Sequence, residues 1–310
     1  MIDLSHGSAI RWQDLRQLSF PGRSLYGVLG HPVGHSLSPP MQEAAFRDCG
    51  LSACYLRIEV PEAELAEAVQ ELVRLGFRGW NCTLPLKRAM KGLAGWLDPW
   101  ASLLDTVNTV CVHEGKLAGW NTDGPGWEQA LREAFGVDLS ALGIFVVGAG
   151  GTAQALARYA FWRGCSKLWI TNRTWEKALQ LARELQEWAR ELGRPSWIEP
   201  IRWEALERAQ AKPPADLLLH ATSVGLEGEG GLAFLSSLLE GKLLVYDVVY
   251  GRGKPTWLVE EAQKRGLQAA DGLSLLLHQG ALAFQIWTGC DPPLETMRQA
   301  LLSAAGRKWN

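Results

Sequence analysis

Residues 144–152 read Ile-Phe-Val-Val-Gly-Ala-Gly-Gly-Thr. Four apolar residues in a row form a buried strand, which runs into Gly148, Gly150 and Gly151 before a helix opens at Thr152. A backbone that leaves a strand through glycines can approach a pyrophosphate closely. The helix beyond it offers free N–H groups and a partial positive charge. The spacing is GxGG rather than the full GxGxxG, because Ala153 holds the last position. A glycine-rich turn with no ligand reads the same way, so the turn alone is a weak signal.

The flanking sequence strengthens it. Lys167–Thr171 is the next strand, and the helix after it carries Ala178, Leu181, Leu185, Trp188 and Leu192 at steps of three and four. Residues 216–220 and 243–248 supply two further strands, which together make the pattern of a doubly wound, Rossmann-like domain. Where an NAD site usually places an acid for the ribose 2′-hydroxyl, this chain has Asn172-Arg173-Thr174, with Lys177 one helical turn later. Two cations and a hydroxyl suit a 2′-phosphate, which points to NADP. A solvated helix start would carry the same residues.

Upstream, the chain alternates again. Residues 26–30 form a short strand, 39–49 a helix, 54–60 a strand, a helix from Pro61 buries Leu65, Ala68, Val69, Leu72 and Val73, and 79–83 form a strand. The expectation is an open, largely parallel α/β sheet covered by helices. The amphipathic tail from Gly272 is expected to pack back on this first domain. The expected division is therefore 1–124 together with 272–310 as substrate-binding and catalytic domain, and 125–271 as the NADP-binding domain.

Composition removes whole classes of function. The chain has 310 residues, enough for two domains, with 47% hydrophobic and 21% charged residues, the balance of a globular protein. A net charge of −2 offers no broad attraction to nucleic acid or an anionic membrane. The N-terminus lacks the apolar run of a signal peptide and no segment is apolar enough to span a bilayer, so a cytoplasmic location is expected. Six scattered cysteines show no metal-ligand or disulfide spacing and are read as reduced, half-buried thiols. Fifteen tryptophans lie in many segments, and most are read as core or interdomain packing.

Three further segments carry polar groups suited to chemistry. Gly30-His31-Pro32-Val33-Gly34-His35-Ser36-Leu37-Ser38-Pro39 leaves a strand, and its two serines at i and i+2 can point both hydroxyls at one carboxylate. Ser38 could equally cap the following helix. Asn81-Cys82-Thr83-Leu84-Pro85-Leu86-Lys87 puts a lysine just past a strand end, where α/β sheets bind ligands, though a lone lysine there is commonly a surface residue. Gly119-Trp120-Asn121-Thr122-Asp123-Gly124 places an acid at the domain junction, where Asp123 and Lys87 can pair across a cleft for acid–base work.

The segments GHPVGHSLSP, NCTLPLK, VNT, GWNTDGPG, VVGAGGTA, TNRT, ATSVG, DVVY and DGLSLLLHQGALAFQIWTG occur in the order found in shikimate dehydrogenases. From about residue 25 to 290 the chain resembles that family. The resemblance implies a two-domain enzyme of aromatic amino acid (chorismate) biosynthesis that reversibly reduces 3-dehydroshikimate to shikimate with NADPH. It further implies a small-molecule substrate, a monomer or homodimer, and no metal. By this resemblance Lys87 and Asp123 match the catalytic pair. Ser36 and Ser38 would bind the substrate carboxylate, and Thr83, Asn108, Tyr250 and Gln279 the rest of the substrate. Gly148, Ala149, Gly150, Gly151, Asn172, Arg173, Thr174 and Lys177 would hold the cofactor.

Several positions depart from the family pattern. Cys82 replaces the valine of NVT, Leu104-Asp105-Thr106 replaces IGA, His220 replaces the asparagine of NATS, and Leu275 replaces a methionine. None removes a catalytic group. Two other readings stand beside the first. A quinate or dual-specificity dehydrogenase would share fold and catalytic pair, although the serine pair favours shikimate and Asn-Arg-Thr favours NADP. A non-catalytic ligand sensor on the same fold would have no need of both Lys87 and Asp123.

Overall fold

In a computed structural model, which describes residues 9–225 and 232–308, the chain divides into two units. One comprises residues 1–126 with 276–310, the other residues 127–275, and both boundaries fall inside helices, Asp123–Phe135 and Gly272–Thr288.

The first unit is built on seven strands: β1 (Ile10–Arg11), β2 (Ser24–Gly30), β3 (Ala53–Glu59), β4 (Phe77–Cys82), β5 (Trp96–Leu97), β6 (Thr109–His113) and β7 (Lys116–Trp120). They lie in the order β1-β3-β2-β4-β6-β7-β5. β1, β3, β2 and β4 run parallel, as the alternation of strand and helix requires, whereas β6 is antiparallel to both β4 and β7. The β6–β7 hairpin is an addition to the pattern read from sequence. Its turn is Glu114-Gly115, both at positive φ, which gives a two-residue loop the twist that a hairpin needs. Leu65, Ala68, Val69 and Leu72 of the helix Leu65–Arg74 pack with Leu29, Ile58 and Trp80 in one core. Val73 is only partly buried.

The opposite face of this sheet is covered by the helix Ser38–Asp48 and by the chain's tail. Phe46 lies 4.9 Å from Tyr26 and 5.5 Å from Phe284 between ring centres, and Trp287 donates to the Val110 carbonyl at 2.8 Å. The tail helix Leu294–Ala305 packs against the same helix Ser38–Asp48.

The start of the chain lies outside the family resemblance, and its first eight residues lie outside the described ones. From Ile10 on it has a structural role. β1 extends the sheet beside β3, Trp12 and Leu15 are buried, and Arg16 forms a bidentate pair with Glu71 at 2.8 and 2.9 Å. Arg74 and Arg16, in that order of effect, hold the Glu71 carboxyl down at about 2. A carboxylate depressed in the folded state contributes stability above its unfolded pKa, and that contribution is lost as pH falls through the folded value. Thermal melting should therefore show a loss of stability between about pH 4.5 and pH 2 that Glu71→Gln reduces. A Glu71→Gln protein with an unchanged acid profile would show that this pair does not couple to folding.

The second unit carries β8 (Gly143–Val147), β9 (Lys167–Thr171), β10 (Trp197–Pro200), β11 (Leu217–His220), β12 (Leu244–Asp247) and β13 (Ala269–Asp271). All are parallel, in the order β10-β9-β8-β11-β12-β13, which is the 3-2-1-4-5-6 order of a dinucleotide-binding fold. Every residue of β8 is buried, as its unbroken apolar run requires. In the helix Trp175–Glu191, Ala178, Leu181 and Leu185 face the core. Leu192, expected on that face, is instead the C-cap and 59% exposed, because the helix has already ended.

The tryptophans depart from expectation. Among the described residues only Trp12, Trp80, Trp127 and Trp169 are buried, while Trp96, Trp162, Trp197 and Trp257 are exposed. An indole is amphipathic, and several lay their rings on the surface with the N–H on a carboxylate, as Trp197 does on Glu199 and Trp203 on Glu207. All six cysteines are free thiols; Cys54, Cys82 and Cys165 are buried and Cys49, Cys111 and Cys290 half-buried. No helix among the described residues is long and apolar enough to cross a membrane.

Candidate active site

At the carboxyl ends of β2 and β4, Gly30 approaches Thr83 so closely that a Cβ on Gly30 would lie 2.4 Å from the threonine methyl. The Thr83 N–H donates to the Leu29 carbonyl at 2.8 Å, and the chain then turns into the short helix Lys87–Lys91. Lys87 is the first residue of that helix. Its Nζ donates to Oδ2 of Asp123 at 2.6 Å, with the two side chains 21% and 9% exposed. Asp123 is itself the first residue of the helix Asp123–Phe135, where a carboxylate is favoured by the helix dipole. Both partners belong to the first unit, so the pairing expected across a domain cleft is internal to one domain.

The other Asp123 oxygen, Oδ1, accepts from Asn108 Nδ2 at 2.7 Å. From Asn108 a buried chain of hydrogen bonds runs back through the sheet. Thr109 Oγ1 donates to Asn108 Oδ1 at 3.0 Å, Asn81 Nδ2 donates to Thr109 Oγ1 at 3.0 Å, and the Tyr55 hydroxyl donates to Asn81 Oδ1 at 2.6 Å. Asn81 and Thr109 face each other across the antiparallel β4–β6 pair. Ser38 hydrogen-bonds Tyr55 at the far end, and burial pushes the tyrosine hydroxyl well above the usual phenol range, which keeps it a donor. From Tyr55 each donor points toward Asp123, and Lys87 reaches the same carboxylate from the other side. Such a one-way chain polarises its members and leaves Asp123 as the common acceptor.

Ser36 and Ser38 sit where β2 passes into the helix Ser38–Asp48. Ser38 is the first helical residue and makes no cap; Ser36 Oγ accepts the Ser38 N–H at 3.3 Å. The Arg57 guanidinium holds the Ser36 carbonyl with two bonds, at 2.9 and 2.7 Å. Gln279 packs on Gly126 one helical turn from Asp123, where a Cβ on the glycine would meet the Gln279 backbone at 2.7 Å. Tyr250 follows β12 and belongs to the second unit, whereas the other candidate substrate residues belong to the first. Tyr55, Arg57, Asn81, Thr109 and Thr122 carry no role in the sequence reading. Asn81, Thr109 and Thr122 lie inside the quoted motifs, whereas Tyr55 and Arg57 show only as polar residues in a largely apolar strand.

Two departures from the family pattern acquire explanations. Burial pushes the Cys82 thiol up to about 12, so it is a small apolar filler beside Lys87. The carboxylate of Asp105 is matched by Lys91 at 2.5 Å and Arg88 at 3.1 Å on the Lys87–Lys91 helix.

In the second unit, β8 ends in Gly148, at φ +120, where a Cβ would come within 2.5 Å of the Ala221 carbonyl oxygen. Gly150 and Gly151 are different: a Cβ on either meets nothing within 4 Å. Protein packing does not demand glycine there, and open space over a helix N-terminus fits a pyrophosphate. Asn172 Oδ1 accepts from the Ala149 N–H at 3.1 Å and so fixes the turn. Thr174 is the N-cap of the helix Trp175–Glu191 but makes no capping bond, leaving its hydroxyl available. Arg173 and Lys177 are exposed, and among the described residues neither forms an ion pair. The donor set fits a 2′-phosphate.

A parallel sheet in this strand order, with a glycine turn at the end of its central strand, defines the doubly wound dinucleotide-binding class of proteins. Family models place the chain more closely. Residues 28–110 match the shikimate dehydrogenase substrate binding domain, 129–194 shikimate / quinate 5-dehydrogenase, and 272–302 the shikimate 5′-dehydrogenase C-terminal domain. The shikimate dehydrogenase (NADP(+)) of Rubrobacter xylanophilus is 43% identical over 279 residues, covering 90% of this chain and 95% of that one. The shikimate 5-dehydrogenase of Thermus thermophilus, solved with NADP(H) and shikimate, superposes with a TM-score of 0.76 at 37% identity, over 91% of this chain and 99% of that one. The quinate dehydrogenase of Corynebacterium glutamicum, solved with NAD, gives a TM-score of 0.79 at 29% identity, over 91% and 99%. The chain belongs to the shikimate dehydrogenase family.

Proposed function

We propose that this protein is an NADP-dependent shikimate dehydrogenase, with the first unit binding shikimate or 3-dehydroshikimate and the second binding the coenzyme. The observation that carries the reading is the 2.6 Å contact between Lys87 and Asp123, with Asn108 locking the second carboxylate oxygen. Bound NADPH supplies the hydride. Lys87 donates a proton to the alkoxide that develops at the C3 carbonyl, or stabilises it by its positive charge. Asp123 orients the ammonium group and accepts from a neighbouring ring hydroxyl. Thr83, Asn108, Gln279 and Tyr250 bind the remaining polar groups of the substrate. Gly148, Ala149, Gly150 and Gly151 take the pyrophosphate, and Asn172, Arg173, Thr174 and Lys177 the adenosine side with its 2′-phosphate.

The substrate carboxylate lies on Ser36 and Ser38 in this reading. The Ser38 proton rests on Tyr55, a group that needs no acceptor bond, so its transfer to a carboxylate costs little. Ser36→Ala or Ser38→Ala should weaken shikimate binding by about 1–3 kcal/mol and leave NADPH binding unchanged. Titration calorimetry with each ligand would read this directly; normal shikimate affinity in both variants would put the anchor elsewhere.

Steady-state assays with 3-dehydroshikimate and NADPH, repeated with quinate and NAD, test the assignment. Turnover confined to the first pair is expected. Preference for the second pair would make the protein a quinate dehydrogenase, and binding without turnover would make it a sensor.

A further inference from the structure

His220 stands where the family usually carries asparagine, and the chemistry above leaves it unused. It is 3% exposed and ends β11, the strand beside β8 on the side away from β9. Its Nδ1 lies 2.8 Å from Oδ1 of Asp247, which is 2% exposed and ends β12. A carboxylate only accepts, so Nδ1 carries the proton. Asp247 Oδ1 also accepts the Val249 N–H at 3.1 Å, which fixes the carboxylate. In the neutral ring Nε2 is then an acceptor, and the Thr222 hydroxyl lies 2.7 Å from it. Thr222 Oγ1 in turn accepts the Val224 N–H at 3.2 Å.

Carboxylate, imidazole and hydroxyl thus stand in a fixed order, and the order decides what Thr222 can offer. With the ring neutral, the Thr222 proton is committed inward, so toward any ligand it presents a lone pair and no hydrogen. Such a group suits a hydroxyl or an amide N–H and disfavours a phosphate oxygen, which itself only accepts. The location narrows the partner. Ala221 and Thr222 wall the glycine turn, for a Cβ on Gly148 would meet the Ala221 oxygen at 2.5 Å and the Thr222 methyl at 3.2 Å. Arg173 follows β9, on one side of β8, while Thr222 follows β11, on the other. A dinucleotide whose 2′-phosphate lies on Arg173 and whose pyrophosphate lies on the turn brings its nicotinamide half to the β11 side.

We infer that Thr222 accepts a hydrogen bond from a ribose hydroxyl in the nicotinamide half of the coenzyme, and that His220 and Asp247 are positioning residues that hold it as an acceptor. The inference rests on the reading of the second unit as the NADP site. An amide can supply the same one donor and one acceptor as a neutral imidazole, so asparagine at this position is the conservative replacement.

The test measures dissociation constants for NADPH and for adenosine 2′,5′-bisphosphate, which carries the 2′-phosphate but no nicotinamide half, in the parent protein, Thr222→Val, His220→Phe and His220→Asn. NADPH binding should weaken on the order of tenfold in Thr222→Val and His220→Phe, the loss of one hydrogen bond. Binding of adenosine 2′,5′-bisphosphate and the KM for 3-dehydroshikimate should stay unchanged, with His220→Asn recovering most of the NADPH affinity. Thr222→Val leaves the buried pair intact and decides the matter if His220→Phe fails to fold. Unchanged NADPH binding in Thr222→Val, or equal weakening of both nucleotides, overturns the inference. A parent protein that binds neither nucleotide overturns it together with the cofactor reading beneath it.

Discussion

Replacing Lys87 by alanine is expected to lower kcat by roughly 10²–10⁴-fold, the range for losing a positioned acid or base. The KM for 3-dehydroshikimate should change far less. The Lys87 ammonium is four-fifths shielded from water and is held at 2.6 Å by a carboxylate whose other oxygen is also bonded. A charge preorganised in that way interacts more strongly with a developing alkoxide than with a neutral carbonyl, and only such a difference raises the chemical rate. Asp123→Asn should slow turnover too. It leaves Lys87 without its counter-charge and the donor chain from Tyr55 without its ionised acceptor. The double variant should be less than additive if the two side chains act as a unit. Steady-state kinetics of the three variants decides this; near-normal kcat with a greatly raised KM in Lys87→Ala would make the lysine a binding residue.

Arg173→Asp is expected to cost roughly 10–100-fold in catalytic efficiency with NADPH and to reduce or invert the preference over NADH. Each hydrogen bond to a charged group is worth about 1.5–3 kcal/mol, and a carboxylate in its place repels a 2′-phosphate while suiting a free 2′-hydroxyl. Arg173 has no acidic partner among the described residues, so its removal should leave folding unaffected. The comparison to make is kcat/KM for both coenzymes in both proteins. Equal efficiency with NADPH and NADH in the unaltered enzyme would contradict the role given to Arg173, Thr174 and Lys177.

Local patterns carried much of this structure into view. The run Ile144–Val147 and the glycines after it place a nucleotide-binding turn on the central strand of a parallel sheet, because the strands and helix that follow and the Asn172-Arg173-Thr174 end of the next strand supply the context that the glycine turn alone lacks. Lys87, Asn108 and Asp123 converge as their motifs imply. What escaped reading depends on register between distant strands. Nothing in the sequence says that Asn81 faces Thr109, yet that pairing connects Tyr55 to Asp123. The hairpin turn Glu114-Gly115 lacks the Asn-Gly or Asp-Gly signature that would have marked it. The strand at Ile10 is two residues long and has meaning only beside β3. Arg57 reads as a surface cation in a strand, and its hold on the Ser36 carbonyl emerges only once the serine loop is folded beside it. The exposed tryptophans show the opposite failure, in which residue type suggested burial that chain position did not allow.

The most direct test follows the transferred hydrogen. Incubation of the purified protein with 3-dehydroshikimate and NADPH carrying deuterium at both hydrogen positions of the nicotinamide C4, with the product examined by mass spectrometry and NMR, reports the reaction itself. The expected result is shikimate carrying one deuterium at C3, formed in step with NADPH oxidation and reduced in proportion to kcat in Lys87→Ala. Shikimate without label, or no product although both ligands bind, would contradict hydride transfer at this site.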